Sequence, residues 1–290
     1  MQLPAGRFRA LEWQAANLGT AEPTVLLLHG LTGMADVWSA TVAALGDARP
    51  RIIALDQRGH GDSPAPTRGY AIADFVGDTV GALEALGSEG HGARPLADAR
   101  RSGSVHLVGH SMGARVAMVT ASRHPELVRS VAIVDIGPER WTANWRDTVS
   151  GIDRMPASFT EEEAIAFFTR NRPTPPDRLA AYLARLKPDG HGGLTWRGSP
   201  DAFKQTVISH RSRDFWRDWE RLRVLTLLVR GGASTELRAH IAAEMRRRNP
   251  RMTYRELDGI GHNIPLLAPT VLADLLGEFW REHERPGALR

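Results

Sequence analysis

The 290-residue chain contains no cysteine. Disulfides, thiolate catalysis and Cys-ligated metal sites are therefore excluded at the outset. Lysine is scarce as well: Lys187 and Lys204 are the only two, and the other cations are arginines. Guanidinium groups keep their charge to very high pH, so this bias lifts the sequence pI to about 10.0 while the net charge stays at +4. Such a balance argues against a nucleic-acid partner. Long hydrophobic runs are missing, and the apolar stretches, such as 25–28, are strand-sized and too short to cross a bilayer. The opening residues, Met1 to Gly6, lack the basic and apolar regions of a secretion signal. The expectation is a cytoplasmic chain with no membrane partner, and nothing in the pattern speaks to its oligomeric state. No pair of histidines or carboxylates has a recognised metal-ligand spacing. The run His29-Gly30-Leu31-Thr32-Gly33 is not a dinucleotide fingerprint. Neither a metal nor a cofactor is expected.

What is present is an alternation. Apolar runs at 24–28, 51–55, 105–108, 130–134, 225–229 and 252–257 are separated by helical stretches at 37–45, 72–86, 112–123, 235–248 and 270–281. This pattern predicts an α/β fold with a mostly parallel twisted sheet and helices on both faces. Residues 6–14 read as an antiparallel edge hairpin, and 88–104, rich in Gly, Ala and Arg, as a surface insertion. From 138 to 220 the strand signals vanish, while more than half of the chain's aromatic side chains gather there. The reading is a helical cap (lid) domain, 138–220, inserted into a core domain made of 1–137 and 221–290. An insertion between strands covers the carboxyl edge of a sheet, where ligands bind in such folds. Trp141, Trp145, Phe215 and Trp216 are the candidate substrate-binding aromatics. The competing reading makes the aromatics the cap's own core.

The segment Gly109-His110-Ser111-Met112-Gly113 follows the run 105–108 and opens a helical stretch. G-x-S-x-G in that context is a nucleophile elbow: the flanking glycines relieve a tight turn that lifts the serine Oγ above the sheet. The helix N-terminus behind the serine favours developing negative charge. Ser111 is the candidate nucleophile.

With this elbow the chain resembles the α/β-hydrolase fold superfamily from about residue 7 to residue 281. His29-Gly30-Leu31 is similar to the family's oxyanion-loop segment. The run from Asp56 to Ser63 resembles the turn after its next strand, and Gly261-His262-Asn263 its catalytic-histidine loop. The order nucleophile, acid, histidine is also the family's. The resemblance implies His262 as the base; His29 and His60 are expected to bond within their own turns. His110 is expected to point away from Oγ, and His210 reads as a solvated helix residue. The family's usual acid position, after the penultimate strand, falls on Ser234, which cannot hold an imidazolium as a carboxylate does. A position used in some members lies one strand earlier, and there the chain carries Asp135. Asp135 is therefore the expected acid, ahead of Glu236, with Ser234 and Gly30 as supporting residues. The backbone N–H groups of Leu31 and Met112 are the expected oxyanion hole.

The resemblance implies a serine hydrolase working through an acyl-enzyme. The aromatic cap suggests a moderately large apolar or aromatic ester or lactone as its small-molecule partner. An amide or carbon–carbon bond hydrolase of the same fold is the first alternative, and a non-catalytic binding protein built on the fold is the second.

Overall fold

The structure, a computed structural model, describes residues 1–14, 23–47, 49–89, 105–140, 145–170, 174–211 and 213–284. The chain opens with a short hairpin, β1 (Gln2–Leu3) and β2 (Gly6–Arg7), and continues through β3 (Ala10–Trp13), β4 (Thr24–Leu28), α1 (Ser39–Ala44), β5 (Ile52–Leu55) and α2 (Ile72–Glu89). Then come β6 (Val105–His110), α3 (Met112–Arg123) and β7 (Val128–Val134). A largely helical segment follows, with α4 (Trp145–Asp153), α5 (Glu161–Thr169), α6 (Pro176–Leu183), β8 (Leu186–Pro188), β9 (Leu194–Trp196) and α7 (Pro200–His210). The chain closes with α8 (Trp216–Glu220), β10 (Leu225–Gly231), α9 (Ala239–Arg248), β11 (Thr253–Leu257), α10 (Ile264–Leu267) and α11 (Pro269–Glu284).

Among the described residues the main sheet has seven strands in the order β11-β10-β7-β6-β4-β5-β3. Every pairing is parallel except that of β3, which runs antiparallel along the edge of β5. This is the α/β-hydrolase fold. The expected edge hairpin over 6–14 is thus divided: β2 turns back on β1, while β3 alone joins the sheet. The insertion expected at 88–104 starts later than the composition suggested, because α2 runs on to Glu89; residues 90–104 lie outside the described residues.

The strands are continuous apolar runs because helices cover both faces of the sheet. Alternate residues go to opposite sides. Leu26 and Leu28 of β4 join a core with Phe75 and Leu83 of α2 and Val116 of α3. Val25 and Leu27 join the opposite core with Trp38, Val42 of α1 and Leu272, Leu276 and Phe279 of α11. Each such side chain, fully removed from water, stabilises the fold by roughly 1.5–3 kcal/mol. Among the described residues, no helix is long and apolar enough to cross a membrane.

Close approaches set two of the glycines. A Cβ on Gly113, in the first turn of α3, would stand 2.4 Å from the carbonyl oxygen of Leu28, so α3 seats against β4 only without a side chain there. Gly61 has φ +54°, and a Cβ on it would meet the carboxylate of Asp56 at 1.9 Å. Asp56 is fully buried and accepts bonds from the N–H groups of Ala35 (2.6 Å) and Asp62 (3.1 Å) while pairing with Arg9 (3.1 Å). It thereby ties the loop after β4 to the loop after β5.

The segment from α4 to α7 is seated on the loop after β5. Ser199 N–H donates to Gly59 O (2.9 Å), Arg197 pairs with Asp62 (2.8 Å), and the Phe203 ring packs on His60 at a centroid distance of 4.6 Å. It has a core of its own, in which Phe159, Phe167 and Phe168 meet Trp196 edge-on and Phe168 stacks on Tyr182.

Gly113→Ala is expected to lower unfolding stability by about 1–3 kcal/mol through overpacking against β4, read as a shift of the urea midpoint. An unchanged midpoint would contradict the close approach described for α3.

Candidate active site

Ser111 follows β6 directly and takes φ +54°, ψ −120°, a conformation L-residues rarely adopt. Its N–H donates to Val134 O (2.9 Å), and its carbonyl receives Ala114 N–H (3.0 Å) and Arg115 N–H (3.1 Å). The elbow is therefore held from the neighbouring strand on one side and by α3 on the other. Such strain persists only where the surroundings over-determine it.

Asp135 occupies the same place one strand over, directly after β7, and also has positive φ (+56°). Its carboxylate is inaccessible to water. Oδ1 accepts the Gly231 N–H (2.8 Å), and Oδ2 accepts the Ser234 hydroxyl and His262 Nδ1 (2.7 Å). His262 Nε2 lies 2.9 Å from Ser111 Oγ. Ser111, His262 and Asp135 thus form one continuous hydrogen-bonded chain. Ser234, at the position where the resemblance placed the usual acid, donates to the carboxylate instead. Glu236, the alternative acid, makes no hydrogen bond to His262; its backbone N–H donates to Ser234 Oγ (3.2 Å).

The histidine reaches Ser111 by crossing the end of β10, and two glycines make the crossing. A Cβ on Gly231 would be 2.6 Å from Ile260 O, and one on Gly232 would be 3.0 Å from Leu257 O. With no side chain there, Gly232 N–H donates to Leu257 O (2.8 Å) and Ala233 N–H to Ile260 O (2.9 Å). The loop before His262 lies flat on this bed. His110 supports it from below: its Nε2–H donates to His262 O (2.9 Å), and the two rings pack at 4.9 Å. His110 does point away from Oγ, but onto the histidine loop, a contact that its position beside the nucleophile did not disclose.

Leu31 lies in a turn closed by Gly33 N–H donating to Gly30 O (3.0 Å), with Thr32 at φ +59°. A Cβ on Gly30 would stand 3.1 Å from Ser111 Cβ, so the turn lies against Ser111. Met112 is the first residue of α3, where backbone N–H groups have no intrahelical acceptor. His29 anchors the turn: Nδ1–H donates to Gly30 O (2.8 Å), and Nε2 accepts Gln57 N–H (3.0 Å) from the loop after β5. His29 bonds within its own turn as expected, and His60 does the same through Nδ1–H to Arg58 O (2.9 Å); the second bond of His29, to Gln57, is one that only the folded chain creates.

Four histidines crowd this edge in the neutral form. Burial, with the charge of Arg185 adding to it, brings His29 from its ordinary 6.5 to about 4. Burial likewise brings His60, His110 and His210 to about 3. The solvated His210 expected from the sequence is corrected: it is 1% exposed, edge-on to Phe75 at 5.4 Å. The face of α7 that carries it packs toward α2, which the local pattern did not reveal.

The candidate substrate-binding aromatics fall in different places. Trp141 lies outside the described residues. Trp145 is half-buried and packs in a small cluster with Phe203, Val207 and Leu31, under the guanidinium of Arg211 at 3.9 Å. Phe215 is enclosed in the main core between Arg115 and Arg213, at 5.5 and 5.1 Å. Trp216 packs against the same core beneath Arg248 at 4.3 Å. Phe215 and α8 therefore serve the seam with α3. Among the described residues no cluster of three metal-ligating side chains occurs.

The fold and this geometry agree with the comparisons. The sequence profile described as "Alpha/beta hydrolase family" matches residues 25–275. The chain belongs to that family. Among curated relatives it is similar to the 2-(acetamidomethylene)succinate hydrolase of Mesorhizobium japonicum, at 29% identity over 89% of this chain and 87% of that one. It is also similar to the 3-hydroxybutyrate-oligomer hydrolase of Cupriavidus necator, at 27% identity over 93% of this chain and 92% of that one. Among solved structures, E-2-(acetamidomethylene)succinate hydrolase superposes with a TM-score of 0.78 at 26% identity, covering 95% of this chain and 100% of that one.

Two outcomes are expected. Gly231→Ala would displace the His262 loop and lower kcat/KM by about 10²-fold, the cost of a shift near 1 Å, with the circular-dichroism spectrum retained; full activity would contradict the crossing. The second concerns pH. Below about pH 6.5 the unfolded chain protonates these four histidines while the fold keeps them neutral, so stability falls as the pH falls toward 4. Asp56, Asp78 and Glu139, raised by burial, take up protons in the fold and offset part of this at the acidic end. Tm is expected to decline across that window, and less steeply in His210→Phe; equal slopes would contradict a neutral, buried His210.

Proposed function

We propose that the protein is a serine hydrolase that cleaves a carboxylic ester or lactone through an acyl-enzyme. The observation that carries this reading is the chain Ser111 Oγ–His262 Nε2–Asp135 Oδ2, with separations of 2.9 and 2.7 Å. A serine hydroxyl needs an adjacent base to attack a carbonyl at neutral pH. In this mechanism His262 Nε2 takes the Oγ proton as Ser111 attacks the carbonyl carbon. The buried Asp135 carboxylate fixes the Nδ1–H tautomer and stabilises the imidazolium that forms. The oxyanion rests on the N–H groups of Leu31 and Met112, each worth about 3 kcal/mol in the transition state. His262 then protonates the leaving group, and a water activated by His262 releases the acyl group.

The segment from α4 to α7 acts in this reading as a cap over the site, with Trp145 as its aromatic contact. Its seating on Gly59, His60 and Asp62 supports that role. An amide is the second reading of the scissile bond. It is favoured by the similarity, along 89% of this chain, to a hydrolase whose named substrate carries an acetamido group.

Ser111→Ala and His262→Ala are expected to lower kcat by about 10⁶-fold and Asp135→Asn by about 10⁴-fold, with folding intact. Glu236→Gln is expected to stay within twofold of the parent. A fluorophosphonate probe should label the parent and not Ser111→Ala. A protein that resists the probe, or an Asp135→Asn variant that turns over normally, would refute the mechanism. A nitrophenyl ester, an aromatic lactone and an anilide compared side by side decide the bond.

A further inference from the structure

We propose that Arg185 is the specificity-determining cation of this site and binds a carboxylate carried by the substrate. The inference deepens the acyl-hydrolase reading and rests on it. Arg185 lies between α6 and β8, and its backbone is tied at both ends: its N–H donates to Tyr182 O (3.1 Å), and its carbonyl accepts Arg197 N–H (2.8 Å). The guanidinium lies over the Tyr182 ring at 4.9 Å and brings Nη1 to 3.5 Å from Thr32 Oγ1. Thr32 belongs to the turn that carries Leu31 and abuts Ser111. The charge also acts on the rings of His29, His60 and His110. Arg185 is therefore fixed in place beside the oxyanion turn.

Its partners distinguish it from the other enclosed arginines. Arg58 makes a two-point pair with Asp78 at 2.5 and 2.6 Å, Arg9 pairs with Asp36 and Asp56, and Arg230 pairs with Glu256. Arg115 donates to the carbonyls of Gly137 and Glu139. Among the described residues Arg185 has no carboxylate within ion-pair distance, and its nearest acceptor is the marginal Thr32 hydroxyl. Burial lowers its pKa, with the neighbouring Tyr182 acting the other way. Arg185 is half-buried, and a guanidinium partly withdrawn from water without a counter-charge gains from a bound anion. Its planar fork of donors matches the two oxygens of a carboxylate. The neighbouring Arg197 is engaged elsewhere, its Nε donating to Ala184 O and its Nη1 pairing with Asp62, so a single guanidinium is offered, which suits a carboxylate. Arg170, Arg211 and Arg213 lie instead over Phe167, Trp145 and Phe215.

The test compares matched esters. Mono-4-nitrophenyl succinate against 4-nitrophenyl butyrate places the charge on the acyl half, and 4-(butyryloxy)benzoate against phenyl butyrate places it on the leaving half. In one of the two pairs the charged ester is expected to be preferred in kcat/KM by about 10- to 100-fold, mostly through KM, the worth of a charge-assisted bond. Arg185→Gln is expected to bring that ratio to about one, Arg185→Lys to restore part of it, and Arg170→Gln, at the exposed end of α5, to leave it unchanged. No preference in either pair, or equal losses on both members in Arg185→Gln, would overturn the proposal. Calorimetric titration of Ser111→Ala with succinate, benzoate and phosphate separates the two readings. Carboxylate binding that disappears in Ser111→Ala/Arg185→Gln supports the anion site even if the parent resists the fluorophosphonate probe. A parent that labels normally while neither carboxylate binds, or while phosphate alone does, leaves the serine reading intact and refutes this one.

Discussion

The site is organised around one buried carboxylate. Asp135 is closed off from water, and an ionised group there is tolerable only if its oxygens are fully hydrogen-bonded. Three donors from three places supply this: the Gly231 amide at the end of β10, the Ser234 hydroxyl in the turn that follows, and His262 Nδ1 after β11. The carboxylate therefore joins the ends of β7, β10 and β11, besides orienting the imidazole. Removing it would strand three donors and free the histidine loop at once.

That arrangement accounts for the glycines at the end of β10. When the acid stands after β7, the histidine loop must cross the intervening strand to reach it. Gly231 and Gly232 leave the room for that crossing, and their neighbours' amides hold the loop by its carbonyls. The turn that follows carries Ser234, whose hydroxyl faces the carboxylate and donates to it.

Around this centre the edge of the sheet is rich in imidazole yet poor in charge. His29, His60, His110 and His210 are neutral because burial penalises their cationic form. Two of them position machinery, His29 holding the oxyanion turn and His110 the histidine loop. The fixed positive charge felt by His29, His60 and His110 comes from Arg185, in the segment between β7 and β10, while Arg115 acts on His210. In a poorly hydrated setting such a charge is felt more strongly than it would be in water. The aromatics of that segment mostly pack on one another.

The local pattern of the sequence determined the sheet strands, the elbow and the loop that carries His262. Each rests on short-range rules: apolar runs on doubly covered strands, glycines at a strained turn, a helix opening behind a serine. β4 and α3 coincide with their expected bounds for that reason. The expectation of Asp135 as the acid came from the resemblance, which offers two acid positions, of which the chain carries a carboxylate only at the earlier one. The tertiary structure decided the rest, because it depends on which residues meet across long separations. Phe215 and Trp216 look like pocket aromatics in composition, yet the docking of their segment on α3 encloses Phe215 in the core and lays Trp216 against it. His210 reads as a surface residue until α7 packs it against Phe75. Arg185 is one of many arginines in the chain. Only the fold places it beside Thr32 with no carboxylate of the described residues in ion-pair reach, an environment that no local periodicity encodes.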